Sequence, residues 1–153
     1  MGKNRAEWKT KSKKRAEKSD NPLKDLLRIL YHFFSDMEKW IEEMQDPRNK
    51  SYTIYTQADL IYLGLMKNFC AIESMRGMDE LFNEENCILN LKKMSGDEQL
   101  EEMPHYDTLN YYLEKLSPDA LADIRTKMVR ALLRSRDFDD SRIKGRYWRV
   151  ILD

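Results

Sequence analysis

An all-α fold is what this sequence predicts, a compact multi-helix bundle with a basic N-terminal arm and a single C-terminal β-strand. Three observations carry that expectation. Glycine and proline are scarce, five and four in 153 residues, while the strong helix formers Leu, Glu, Lys, Arg and Met are abundant. Apolar residues recur at three- and four-residue steps through most of the length. Helix starts are written where those steps resume, as Pro22, Thr56, Ser74 and Ser117-Pro118. A hydrophobic fraction of 41% beside 35% charged residues suits one domain with a real core.

Residues 1–21 hold Trp8 and two alanines as almost their only apolar side chains. That is too little to offset the entropy of ordering them, so a flexible arm is expected. Its Lys11, Lys13, Lys14 and Arg15 would suit DNA phosphates, and the same composition suits a plain solubilising tail. Pro22 opens a helix expected to run unbroken to about Gln45, with Leu23, Leu26, Leu27, Leu30, Phe33 or Phe34, Met37, Ile41 and Met44 on its apolar face. Asp46-Pro47-Arg48 then breaks it.

Thr56, with Asp59 three residues on, predicts a capping box. The helix it starts carries Leu60, Ile61, Leu63, Leu65, Met66 and Phe69, apolar almost all round, and should be the centre of the domain. Ser74 caps the next, with Met75, Met78, Leu81 and Phe82. Helix, tight turn and helix give the outline of a helix-turn-helix, but Asp79 and Glu80 on its second member would repel phosphates. Glu85 to Met94 reads as a further helix with Cys87, Ile88, Leu89 and Leu91 inward.

His105-Tyr106-Asp107-Thr108 leads into a helix with Leu109, Tyr112, Leu113 and Leu116 on one face. Asn110 and Tyr111 fall on the outer side, which makes Asn110 a candidate for DNA contact. His105 is read as anchoring the turn through a backbone hydrogen bond. Ser117 and Pro118 start the last helix, expected to end near Phe138 and to bury Leu121, Ile124, Met128 or Val129, and Leu132. Arg125, Arg130, Arg134 and Arg136 lie off that stripe, the last three being candidates for phosphate contact. Residues 139–146 form a polar linker, and Tyr147 to Leu152 is an apolar run fit for one strand, closed by Asp153. The expected divisions are 1–21, 22–138 and 139–153, with Leu60, Leu63, Met66, Phe69, Leu81, Leu113, Leu116 and Leu132 in the core.

The formal net charge is +0, yet it is segregated: residues 1–21 sum to +5, residues 22–124 to −10 and residues 125–149 to +6, with Asp153 supplying the last acid. Two basic ends around an acidic middle fit a polyanion held at the ends, and fit equally a solvated tail and a solvated helix face. Cys70 and Cys87 lie in apolar helical patterns and are expected as buried free thiols. Two histidines and two cysteines at long intervals make no zinc pattern. No apolar run approaches a membrane span and no leader pattern follows the basic start, so the expectation is a cytoplasmic protein. Gly-rich phosphate loops, a nucleophile elbow and paired histidines on a helix face are all missing from the sequence, which argues against self-contained catalysis.

The order His105-Tyr106-Asp107-Thr108-Leu109-Asn110, a Leu-rich helix, Met128-Val129-Arg130-Ala131-Leu132-Leu133-Arg134, a basic linker and Val150-Ile151-Leu152-Asp153 resembles the N-terminal half of bacterial insertion-sequence transposases of the DDE type. Asp46-Pro47-Arg48 and Ser74-Met75-Arg76 resemble that family's opening segment, so the likeness spans Asp46 to Asp153. It implies a helical DNA-binding domain followed by an RNase H-like catalytic domain, which cleaves and joins transposon-end DNA by phosphoryl transfer with two divalent metals, normally Mg²⁺. Asp153 would then be the first of three catalytic, metal-binding acids. The second Asp and the Glu of that family do not follow it here, so the expectation is a chain that binds DNA, carries no cofactor of its own and does not cleave. The strand Tyr147 to Leu152 has no evident second strand and is expected to fray, fold on the helices or pair with another copy in a homodimer. The alternative, from a different class, is a small helical adaptor or regulator that binds protein through its apolar and acidic faces.

Overall fold

The computed structural model describes residues 22–136 and 139–147. Among them the fold is mostly helical, with seven α-helices and no strand: α1 Pro22–Phe33, α2 Met37–Glu42, α3 Gln57–Phe69, α4 Met75–Phe82, α5 Glu85–Ser95, α6 Tyr106–Lys115 and α7 Pro118–Ser135. Helix α3 is the hub. It packs on α1, α2, α5 and α6, while α1 also touches α5 and α7, and α4 rests on α6.

The hub forms for the reason its sequence gives. Thr56 accepts a hydrogen bond from the Asp59 backbone N–H at 3.1 Å and the Asp59 carboxylate accepts from the Thr56 N–H at 2.7 Å, closing the capping box. Leu60, Leu63 and Met66 beyond it are fully buried. The helix stops at Cys70, where Ala71 takes a left-handed φ of 54°, and Lys67 Nζ donates to the Ile72 carbonyl at 2.8 Å.

The expected unbroken helix from Pro22 to Gln45 is two helices. Ser35 and Asp36 form a turn between them, and the Met37 N–H donates to the Phe34 carbonyl at 2.9 Å. Short polar side chains that compete for backbone groups favour such a break. The apolar stripe runs through it, since Leu30, Phe34, Met37 and Ile41 are all buried. Periodicity therefore gave no sign of the interruption.

Helix α5 ends at Gly96, whose φ is 70° and whose N–H donates to the Lys92 carbonyl. A Cβ there would lie 2.8 Å from Glu38 Oε1, so both backbone sign and space call for glycine. The expected core needs revision at its edges. Phe69, Leu81 and Leu113 are exposed at 41%, 59% and 40%; Leu89 and Leu121 are exposed as well, and Leu132 is half-buried. Each sits one step beside a buried stripe, Met78 and Phe82 in α4, Leu109, Tyr112 and Leu116 around α6. Those helices meet neighbours over a narrower arc than the spread of their apolar residues.

Candidate nucleic-acid interface

Helix α7 starts with Pro118 at its first turn, as expected, although Ser117 makes no side-chain cap bond. It ends at Ser135, short of Phe138, because Arg136 turns left-handed with φ 62°. Arg130 and Arg134 are spaced by four residues and therefore share one side of α7. Both are exposed, as is Arg136 on its corner. The chain then closes a tight turn in which Ile143 bridges Tyr147, with Lys144 at φ 54°, Gly145 at φ 68°, and Lys144 and Arg146 exposed.

These cations differ from their neighbours in having no acidic partner within ion-pair reach among the described residues. Lys127 by contrast holds Asp123 at 3.0 Å and Glu43 at 3.1 Å, and these hydrogen bonds, Asp123 first, push its ammonium pKa up. Arg142 is tied to Asp139 at 2.6 Å. Asn110 does not join the basic group by element: it is half-buried on α6, beside the fully buried Leu109. Lys11, Lys13, Lys14 and Arg15, together with Asp153 and all but Tyr147 of the expected strand Tyr147 to Leu152, lie outside the described residues.

The helix-turn-helix outline resolves into structural work. Asp79, which in the sequence counts only against phosphate contact by this helix, has a structural use: Oδ1 accepts from the Tyr106 N–H at 3.0 Å and Oδ2 lies 3.1 Å from His105 Nε2, so α4 caps the start of α6. His105 anchors the turn as expected, its Nδ1 accepting from the Asp107 N–H at 3.2 Å. The signal that could have revealed Asp79 is an acid on a helix face whose apolar neighbours, Met78 and Phe82, point inward.

Asp46-Pro47-Arg48 is likewise a clamp. The Arg48 guanidinium donates to both Asp46 carboxylate oxygens at 3.0 and 2.7 Å and to the Tyr55 carbonyl at 3.0 Å, and it lies 5.1 Å from the centre of the Tyr112 ring. Only 7% of its side chain is exposed, so it is not available to a ligand. Burial raises the Tyr112 hydroxyl pKa, and raises the thiol pKa of half-buried Cys70 and Cys87. Both cysteines thus lack the thiolate character of a nucleophile.

A concavity of about 1030 Å³ is lined by Ile29, Phe33 and Phe69 together with Asp25, Arg28, Tyr31 and His32, and within it Arg28 lies 3.6 Å from Asp25. Among the described residues no cluster of three or more His, Cys, Asp or Glu could hold a metal ion, and no helix is long and apolar enough to cross a membrane. What the arrangement offers chemically is a set of exposed cations at a helix end and the turn that follows. Comparison with protein-family models, curated proteins and solved structures finds no match to this chain.

Proposed function

We propose that the helical body is the DNA-binding part of a DDE-type transposase, acting in the cytoplasm on transposon ends. In this reading cleavage and strand transfer belong to an RNase H-like domain whose first strand is Tyr147 to Leu152 and whose first acid is Asp153. Mg²⁺ would supply the phosphoryl-transfer chemistry there. The single observation that carries the reading is the run of exposed basic side chains with no acidic partner among the described residues at the end of α7 and on the following turn, Arg136, Lys144 and Arg146, with Arg130 and Arg134 adding to the field. Guanidinium and ammonium groups so placed contact phosphates regardless of base sequence, and counterion release drives the association.

The test is fluorescence anisotropy with a labelled duplex at several salt concentrations between about 50 and 200 mM. Affinity of the wild-type protein should fall linearly on logarithmic axes. The triple variant Arg136→Gln/Lys144→Gln/Arg146→Gln should bind more weakly and lose about 2.7 from the slope, at ~0.9 per phosphate contact. Absence of binding at the lowest salt, or a slope unchanged in the variant, would overturn the reading in favour of the protein-binding adaptor.

A further inference from the structure

Helix α7 is attached to the body along a thin line. Ile124 is its single buried residue, with Met128, Ala131 and Leu132 half-buried against the core. Well round the helix from Ile124, Val129 and Leu133 are exposed at 49% and 38%, while Leu121, three residues before Ile124 and on its side of the helix, is exposed at 42%. An amphipathic helix with a second apolar stripe has a second surface to cover.

The charges beside that stripe say what covers it. Asp119, Asp123, Arg130 and Arg134 fall within a sector of about 60° on one side of the helix, at 3.6 residues per turn. Their order is a palindrome of opposite sign about the point between Thr126 and Lys127. Asp119 is as far before that point as Arg134 is after it, and Asp123 and Arg130 are matched in the same way. Leu121 and Leu132 obey the same relation, as do Ala122 and Ala131.

The helix dipole accounts for an acid in the first turn and an arginine in the last, but its influence fades within a turn; Asp123 has a partner on its own helix in Lys127, and Arg130 has no acid within reach among the described residues. A two-fold axis explains all four, because an isologous contact requires each patch to complement itself. We propose that α7 pairs antiparallel with α7 of a second copy. Asp119 then meets Arg134 of the partner subunit and Asp123 meets Arg130 of the partner subunit, each pair occurring twice around a seam of Ala122, Val129 and Leu133. Asp123 already holds Lys127 at 3.0 Å, but its side chain is 62% exposed and open to a second cation. The inference does not depend on the DNA reading, since Arg136, Lys144 and Arg146 lie outside the palindrome.

The experiment is analytical ultracentrifugation of the full chain without DNA, over micromolar concentrations. Wild-type protein should dimerise reversibly. Asp119→Arg/Asp123→Arg makes the flank uniformly basic and Arg130→Asp/Arg134→Asp makes it uniformly acidic, so each variant alone should dissociate about a hundredfold more readily. An equimolar mixture of the two should restore the dimer. If either double variant loses its helical circular dichroism, the end swaps Asp119→Arg and Arg134→Asp serve instead, with the same expected rescue on mixing. A wild-type monomer at every concentration, variants that dimerise like the wild type, or a folded mixture that stays monomeric would overturn the proposal.

Discussion

At the scale of single residues the most consequential group is Asp59, a carboxylate with no exposed surface at the start of the hub helix. Burial raises its pKa, side-chain hydroxyls of Ser95 and Thr56 and the Thr56 N–H pull it back, and the charge of Asp97 raises it again. The folded-state value therefore lies above the ordinary carboxylate value of about 3.9. A folded state that holds its proton longer than the unfolded chain is favoured at low pH. The contribution is fully present below the unfolded value and is lost as pH rises through the folded one. Asp59→Asn removes the titration while keeping an oxygen for Thr56. In urea unfolding from about pH 4 to 8, the stability difference between variant and wild type should move in favour of the variant as pH rises. Parallel curves would show that Asp59 ionises in the fold as it does in the unfolded chain. The Thr56 and Asp59 pair was legible because a capping box is local, three residues apart. The Asp79 contact to the Tyr106 N–H was not, because its partners are 27 residues apart and no periodicity joins them.

At the scale of elements, helix starts were legible and helix faces only in part. Thr56 and Ser74 cap where expected, each accepting a backbone N–H, since the cap is a property of adjacent residues. The extent of a buried face depends on how many neighbours a helix meets. Helix α3 meets four, so most of its apolar surface is covered, Phe69 at its end excepted, and Leu63 is fully buried. Helix α6 meets α3 and α4, and Leu113 is left 40% exposed beside fully buried Leu109 and Tyr112. The two leucines should respond differently to truncation. Leu63→Ala should cost about 2–5 kcal/mol through lost burial and a cavity, and Leu113→Ala about 1 kcal/mol or less. Urea midpoints measured side by side would check this, and equal losses would contradict the packing described for α6.

At the scale of the whole molecule, charge is sorted along the chain, and the sorting was visible in the sequence. The acidic middle makes most of the helical body, and the exposed cations gather at its C-terminal edge. What the sequence could not tell was which cations are already spent. Lys127 is engaged by Asp123 four residues away and by Glu43 from a distant part of the chain, and Arg142 by Asp139 three residues away, whereas Arg136, Lys144 and Arg146 have no acid within reach among the described residues; of these contacts, the one to Glu43 belongs to the folded arrangement of residues far apart in the chain. The same arrangement sets the order of events in time. Because α3 touches α1, α2, α5 and α6 while α7 hangs from α1, the contacts that must form early to repay chain closure converge on one short segment. Leu63→Ala should therefore slow folding in stopped-flow measurements, and Ile124→Ala, on the peripheral helix, should leave folding almost unchanged and hasten unfolding. The reverse pattern would place the nucleus elsewhere. The protein should thus come apart from its C-terminal helix inward, shedding its basic edge and its pairing surface before its hub gives way.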